Sequence, residues 1–295
     1  MKNPDLKKIA KNLDGIKKEQ IRNSSVVAEY IRSSQINLSN LFKEMNLSPY
    51  IETVKNLDKD LYSQIGKFSN LAKQLEETNK IFQKQEKKRK PYYDQIFLEY
   101  KKTGWVMGSA FDYEIIINKK LDIDSLNEQL VGYYSNNHFQ ETFSELKEIS
   151  DFLKINKSKG FQTQLDMITK VLSSDIELFP VIMPTLMAIL SYIFDLSQGQ
   201  INSNEHINYA QINKLLKNNE NKRDDYTYMF HLNKIAVLTC LLKLFSGNDF
   251  DAGPDKSSYT RHSVQHGRYN PDRFTKEDLI KLIVLISGIC LHSEN

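Results

Sequence analysis

The sequence predicts an all-α protein in two parts, an N-terminal helical or coiled-coil region followed by a C-terminal helical bundle. Three observations carry that expectation. Ile51, Val54, Asp58, Leu61, Ile65, Phe68, Ala72, Leu75, Asn79 and Phe82 follow an alternating three-four step, polar only at Asp58 and Asn79. Before them, Leu6, Ile9, Leu13 and Ile16 stand three or four apart, and so do several members of a second patch at Val27, Ile31, Leu38, Leu41 and Phe42. The second half holds long apolar stretches of helical length over 176–197, 226–245 and 274–292.

Residues 1–48 read as short polar-rich helices. From Pro49 the three-four seam predicts a coiled coil or long helical hairpin, either packed within its own domain or serving as a dimerisation arm. Gly66 beside the seam weakens that helix by about 1 kcal/mol and marks a candidate bend. The helix is expected to end in Lys84-Gln85-Glu86-Lys87-Lys88-Arg89-Lys90-Pro91, where cations suit the dipole and proline stops propagation. This closes an N-terminal region over 1–90. Next to Tyr92 and Tyr93 the basic run reads as a solvated helix end, with phosphate contact and base stacking as the sharper alternative.

Residues 91–124 form an irregular junction: Gly104-Trp105, Gly108 and Phe111–Ile117 predict a loop and one short strand. The bundle then occupies 125–295. Asp124 is the expected cap of a helix beginning at Ser125, and Gly160 and Gly199 punctuate later helices. The uncharged run from Leu178 to Phe194 approaches the length that crosses a bilayer, but Pro180, Pro184, Glu177 and Asp195 favour a central buried helix, so no membrane partner is expected.

Composition bounds the function classes. A chain of 295 residues can bury one large core or two smaller ones. Lys+Arg 40 against Asp+Glu 37 gives +3, so no global field advertises or excludes nucleic acid. Cys240 and Cys290 lie in apolar stretches and read as buried free thiols of a reducing compartment. The charged N-terminus has no apolar core of a signal peptide, and a cytoplasmic location is expected. No glycine-rich phosphate loop, serine nucleophile elbow or paired-cysteine metal site occurs.

The chemistry-bearing run follows the loop Ser246–Asp255: Tyr259-Thr260-Arg261-His262-Ser263-Val264-Gln265-His266-Gly267-Arg268-Tyr269-Asn270-Pro271. RNA can be cut without metal if a neutral histidine removes the 2′-hydroxyl proton while a fixed cation stabilises charge on the five-coordinate phosphorus. Histidine titrates near neutrality, and the arginine fork matches phosphate oxygens. Arg261, His262 and His266 supply both groups.

Arg261-His262-x3-His266 resembles the signature of the HEPN superfamily, helical proteins in which an arginine, a polar residue and a following histidine form a metal-independent ribonuclease site, usually shared across a dimer. The resemblance covers roughly 143–295 and includes the apolar helix with Pro184-Thr185-Leu186-Met187-Ala188-Ile189. Bacterial proteins with a coiled N-terminal half, a tryptophan-centred middle and a terminal Arg-His-x3-His-Gly are also similar, some with toxin or phage-defence roles. The resemblance implies that Arg261 contacts the scissile phosphate, His266 is the general acid or base, and His262 orients or polarises. Histidine stands where the family often has asparagine or aspartate. Implied with these are an RNA substrate, a homodimer, an antitoxin or other regulatory protein, and no cofactor or metal. The N-terminal half would then sense a signal, dimerise or hold the site closed.

Rival readings attach to the same residues. His262 and His266, four apart, would face one side of a helix and could hold a divalent metal, yet no glutamate adjoins His262 and no cysteine or third histidine is near. The motif could instead be a polar helix start, with Arg261 paired to Asp249, Asp251 or Asp255 and His266 capping. Asp94 with Glu99, or Asp112 with Glu114, are weak candidates for magnesium and read as surface. His138, His206 and His231 stand alone, and Trp105 reads as a packing anchor. The competing function is a non-catalytic helical module that binds a protein or nucleic acid, and a third is a purely structural coiled coil.

Overall fold

The computed structural model describes residue 84 and residues 87–201, 207–220, 228–247 and 253–293. The expected N-terminal helices, the seam over 51–82 and Gly66 lie outside these residues, as do His206, Asp249 and Asp251. The described region is 75% helical with no strand, which makes it all-α as predicted. Arg89–Asn295 forms a compact unit.

The first described helix, α1 (87–103), runs through Pro91 instead of stopping there. An interior proline costs about 3 kcal/mol. Tyr93, Ile96, Phe97 and Tyr100 recur at helical spacing and are buried at 0–1% exposure, and each large apolar side chain contributes roughly 1.5–3 kcal/mol on burial. Packing outweighs the proline. The helix ends where it must turn: Gly104 takes φ +84°, and the Gly104 and Trp105 amides both donate to the Tyr100 carbonyl, at 2.8 and 3.1 Å.

The expected short strand does not form. Its Ile115–Ile117 segment lies in a single helical turn, α2 (Glu114–Ile117), where Asp112 Oδ1 accepts the Glu114 amide at 3.1 Å. Trp105, Val106 and Met107 run through the core outside any helix or strand. A side chain takes the role of a strand neighbour: Asn233 accepts the Met107 amide at 2.7 Å and donates to the Met107 carbonyl at 3.1 Å. A buried backbone segment needs such a substitute or it loses its hydrogen bonds to water without replacement.

Helix α3 (Leu126–Ile155) is broken by Asn136, extended at ψ 161°, and by Asn137, His138 and Phe139, all at positive φ. Left-handed backbone costs an L-residue roughly 1–2 kcal/mol. Thr142 Oγ1 donates to the Tyr134 carbonyl at 2.8 Å across the break. At the start of α3 the cap residue is Ser125, not Asp124; its hydroxyl donates to Asp122 at 2.8 Å.

Helices α4 (Lys159–Ser174) and α5 (Phe179–Ser197) follow. Gly160 sits in the first turn of α4, whereas Gly199 ends α5 at φ +68° as expected. The stretch Ile176–Ser197 is long and apolar enough to cross a membrane by length and composition, and Met183, Leu186, Met187, Ile189, Leu190 and Ile193 on it are fully buried in the core. Helices α6 (Tyr209–Glu220) and α7 (Tyr228–Leu244) pack together. The short α8 (Arg261–Gln265) rests on α5, and α9 (Lys276–Leu291) packs against α3, α5 and α7. Helix α9 opens with a reciprocal Thr275–Asp278 capping box. Cys240 is buried and Cys290 partly so, both as free thiols; burial pushes the Cys240 thiol up to about 11.

One acid lies inside this core. Glu145 on α3 accepts hydrogen bonds from Ser287 Oγ at 2.5 Å, the Ala110 amide at 3.0 Å and Tyr134 OH at 3.2 Å. It ties the 105–113 segment to α3 and α9. Gly108 is required beside it, because a Cβ there would overlap the Glu145 carboxylate. Burial pushes the Glu145 carboxyl up to about 7 against the lowering effect of its donors. The folded state therefore holds this proton more tightly than the unfolded chain, so the contribution is full below the ordinary carboxylate range and is lost as pH rises through about 7. Chemical denaturation at pH 5 and 7.5 should show stability falling with a slope of at most roughly 1.4 kcal/mol per pH unit from this group. Glu145→Gln should flatten that component, and identical slopes in wild type and variant would show that Glu145 does not titrate in this interval.

Candidate functional site

The three motif residues meet on one turn that is fastened at both ends. At its start Thr260 Oγ1 accepts the Ser263 amide at 3.2 Å and Ser263 Oγ accepts the Thr260 amide at 3.0 Å, a reciprocal box. Ser263 is fully buried and its hydroxyl also reaches the Ser258 carbonyl at 2.6 Å. At its end Gly267 takes φ +63°. That geometry lets the Arg268 and Tyr269 amides donate back to the Ser263 carbonyl at 2.7 and 3.1 Å. Val264 is buried beneath.

Behind the turn Tyr259 meets Tyr269 and Phe274 edge to face, and the rings of Tyr269 and Phe274 lie tilted 5.0 Å apart. Arg273 lies over the Tyr269 ring at 4.6 Å and donates to the Ser257 carbonyl at 2.9 Å. Arg273 is thus spent on scaffold.

Arg261 is half-buried. Its guanidinium carbon lies 5.1 Å from the Phe245 ring centroid, and Nε is buried without a hydrogen-bond partner among the described residues. Burial lowers its pKa, and the opposing charge of Asp195 on α5 raises it; an arginine stays charged under both influences. Among the described residues the acid whose charge acts on Arg261 is Asp195. Of the carboxylates expected for it, Asp255 instead accepts from Asn270 at 2.7 Å. A half-buried guanidinium held against an aromatic ring keeps its charge, and a fixed cation favours an anion.

His262 and His266 are exposed, and their rings meet edge to face at 4.4 Å with planes 70° apart. The His266 amide donates to the His262 carbonyl at 3.1 Å, so the four-residue spacing places both imidazoles on one side, as the sequence predicted. His266 is the C-cap of α8. The His262 pKa is lowered by desolvation first, then by His266 and Arg261. Among the described residues no group of three His, Cys, Asp or Glu side chains forms that could hold a metal.

The remaining candidates are engaged in packing or surface contacts. Asp94 accepts from Tyr228 OH, and Glu99 pairs with Lys102 at 3.0 Å. Tyr92 donates to the Leu121 carbonyl at 3.0 Å and Tyr93 is buried, so both serve the fold. His138 is exposed in the α3 break, and His231 is half-buried. His292, not singled out from the sequence, contacts Asn233 Nδ2 through Nε2 at 3.0 Å; burial first, then Lys234 and His231, lower its pKa to about 3.

Sequence reasoning missed Asp195 and Phe245 as neighbours of Arg261. Asp195 was visible as the charge closing the apolar run, and Phe245 as the last apolar residue of the 226–245 stretch, but nothing in the chain linked either to Arg261. No family model, curated protein or solved structure matches the chain.

Proposed function

We propose that the chain is a metal-independent endoribonuclease of HEPN type, acting in a bacterial toxin or phage-defence system. It would cut RNA by attack of the 2′-hydroxyl, leaving a 2′,3′-cyclic phosphate and a 5′-hydroxyl. The observation that carries this reading is the gathering of Arg261, His262 and His266 on one fastened turn, with the arginine held against Phe245. The arginine fork suits phosphate oxygens, and an exposed imidazole suits proton transfer near neutral pH. A homodimer and an antitoxin or other regulatory protein belong to the same reading, because an unrestrained ribonuclease is toxic to its own cell.

Purified protein incubated in EDTA with total and transfer RNA should yield fragments ending in cyclic phosphate. A substrate with hydrogen in place of the 2′-hydroxyl at the scissile nucleotide should not be cut, and equal cutting of DNA would refute the mechanism. A second reading draws on the packing of Arg261 over Phe245 beside Asp195, which also suits a structural motif in a non-catalytic binding module. Growth inhibition on overexpression that persists in a folded His266→Ala variant would favour that module.

A further inference from the structure

The two imidazoles of α8 stand closer than two independent groups need to. Their rings are 4.4 Å apart, both are exposed, and Arg261 adds a cationic group to the same turn. Among the described residues the charged groups acting on this turn are Arg261 on their own helix and Asp195, whose charge reaches Arg261 from α5, and Arg268 follows in the chain after Gly267. Two imidazolium charges at this separation repel, so the pair holds one proton more readily than two. Arg261 adjoins His262 and acts against a positive charge there.

We propose that His262 and His266 of one chain form a general base and general acid pair acting on a single phosphodiester, His262 taking the 2′-hydroxyl proton and His266 giving one to the 5′-oxygen. This rests on the ribonuclease reading and gives His262 a proton-transfer role instead of an orienting one. As the O2′–phosphorus bond forms, the neutral His262 ring accepts the hydroxyl proton. As the phosphorus–O5′ bond breaks, the His266 imidazolium supplies a proton to the departing oxygen. The products are the cyclic phosphate and the 5′-hydroxyl, and the pair ends with one proton, as it began. Its net charge is constant through the reaction, so the repulsion against a second proton does not rise along the path.

Two measurements on the full chain test this. The first is an NMR titration of the histidine rings in wild type, His262→Asn and His266→Asn without substrate. Removing His266 should raise the pH at which His262 titrates, because charge on the neighbouring ring acts against a proton there. The second is the pH–rate profile of RNA cleavage, together with a substrate carrying sulfur in place of the 5′-oxygen, whose thiolate departs without a proton. Wild type should give a bell and each variant should lose one limb, with rates down by roughly 10²–10⁴-fold. The sulfur substrate should restore His266→Asn at least tenfold and leave His262→Asn slow.

A His262 titration that does not move in His266→Asn would overturn the pair whatever the activity. Coupled titration with a His262→Asn variant that keeps the wild-type rate and bell would overturn its catalytic role, and so would equal restoration of both variants. Coupled titration in a folded protein that cuts no RNA would overturn the ribonuclease reading itself, and the catalytic role with it.

Discussion

Replacing Arg261 by alanine is expected to lower RNA cleavage by roughly 10³–10⁵-fold, the scale on which a positioned arginine contributes to phosphoryl transfer. Two properties of the site set this magnitude. The guanidinium is held over Phe245 at 5.1 Å, so its direction is settled before substrate binds. Half-burial lowers its pKa without discharging it, so a fixed cation is in place when phosphate binds. Lysine at the same position keeps the charge but loses the planar fork and the ring contact, and Arg261→Lys should recover little of the rate. Loss of the side chain also removes packing against Phe245, so thermal melting must accompany the assay. A folded Arg261→Ala protein that cuts RNA at the wild-type rate would remove arginine from the mechanism.

The largest effect on stability is expected at Trp105→Ala, roughly 3–5 kcal/mol, as for other fully buried large aromatics. Trp105 has no exposed surface, stacks on Tyr134 with planes 8° apart, and donates from Nε1 to Asn127 at 2.7 Å. Lys281 lies over the same ring at 5.2 Å. Truncation would open a cavity between α1, the 105–113 segment and α3, and would leave the Asn127 oxygen without its donor. For a domain of this size the melting temperature should fall by about 10 °C. Phenylalanine should restore most of the packing but not the Asn127 bond. A shift of only a degree or two in Trp105→Ala would show that the segment is peripheral to the core.

These predictions rest on different kinds of information. The helix class, the long apolar helices near 176–197, 226–245 and 274–292, and the shared face of His262 and His266 were legible in the sequence. Each depends on groups three or four residues apart, and helical geometry alone relates such groups. The Trp105 anchor was legible for a similar reason, since a lone large aromatic among glycines seldom stays in water.

The junction was misread where local and distant forces disagree. Pro91 argues for a helix stop and Ile115–Ile117 for a strand, and both arguments are sound for an isolated peptide. In the folded chain α1 continues because four aromatic and aliphatic side chains bury on one face, and the strand is absent because Asn233 and Glu145 take over the backbone bonds of the neighbouring segment. Glu145 drew no attention in the sequence, because nothing around it in the chain announces that Ser287, Ala110 and Tyr134 will surround it.

By itself the sequence determined that the described region is helical, where its apolar faces lie, and that one arginine and two histidines share a turn. Those properties follow from periodicity and capping, which act within a few residues. Only the tertiary structure decided that Asp195 is the acid acting on Arg261 among the described residues, that Phe245 is the ring beneath it, and that residues 105–113 belong to the core. Charge pairing and close packing act through space, and the distance between two side chains in space is settled by how helices dock, not by their separation along the chain.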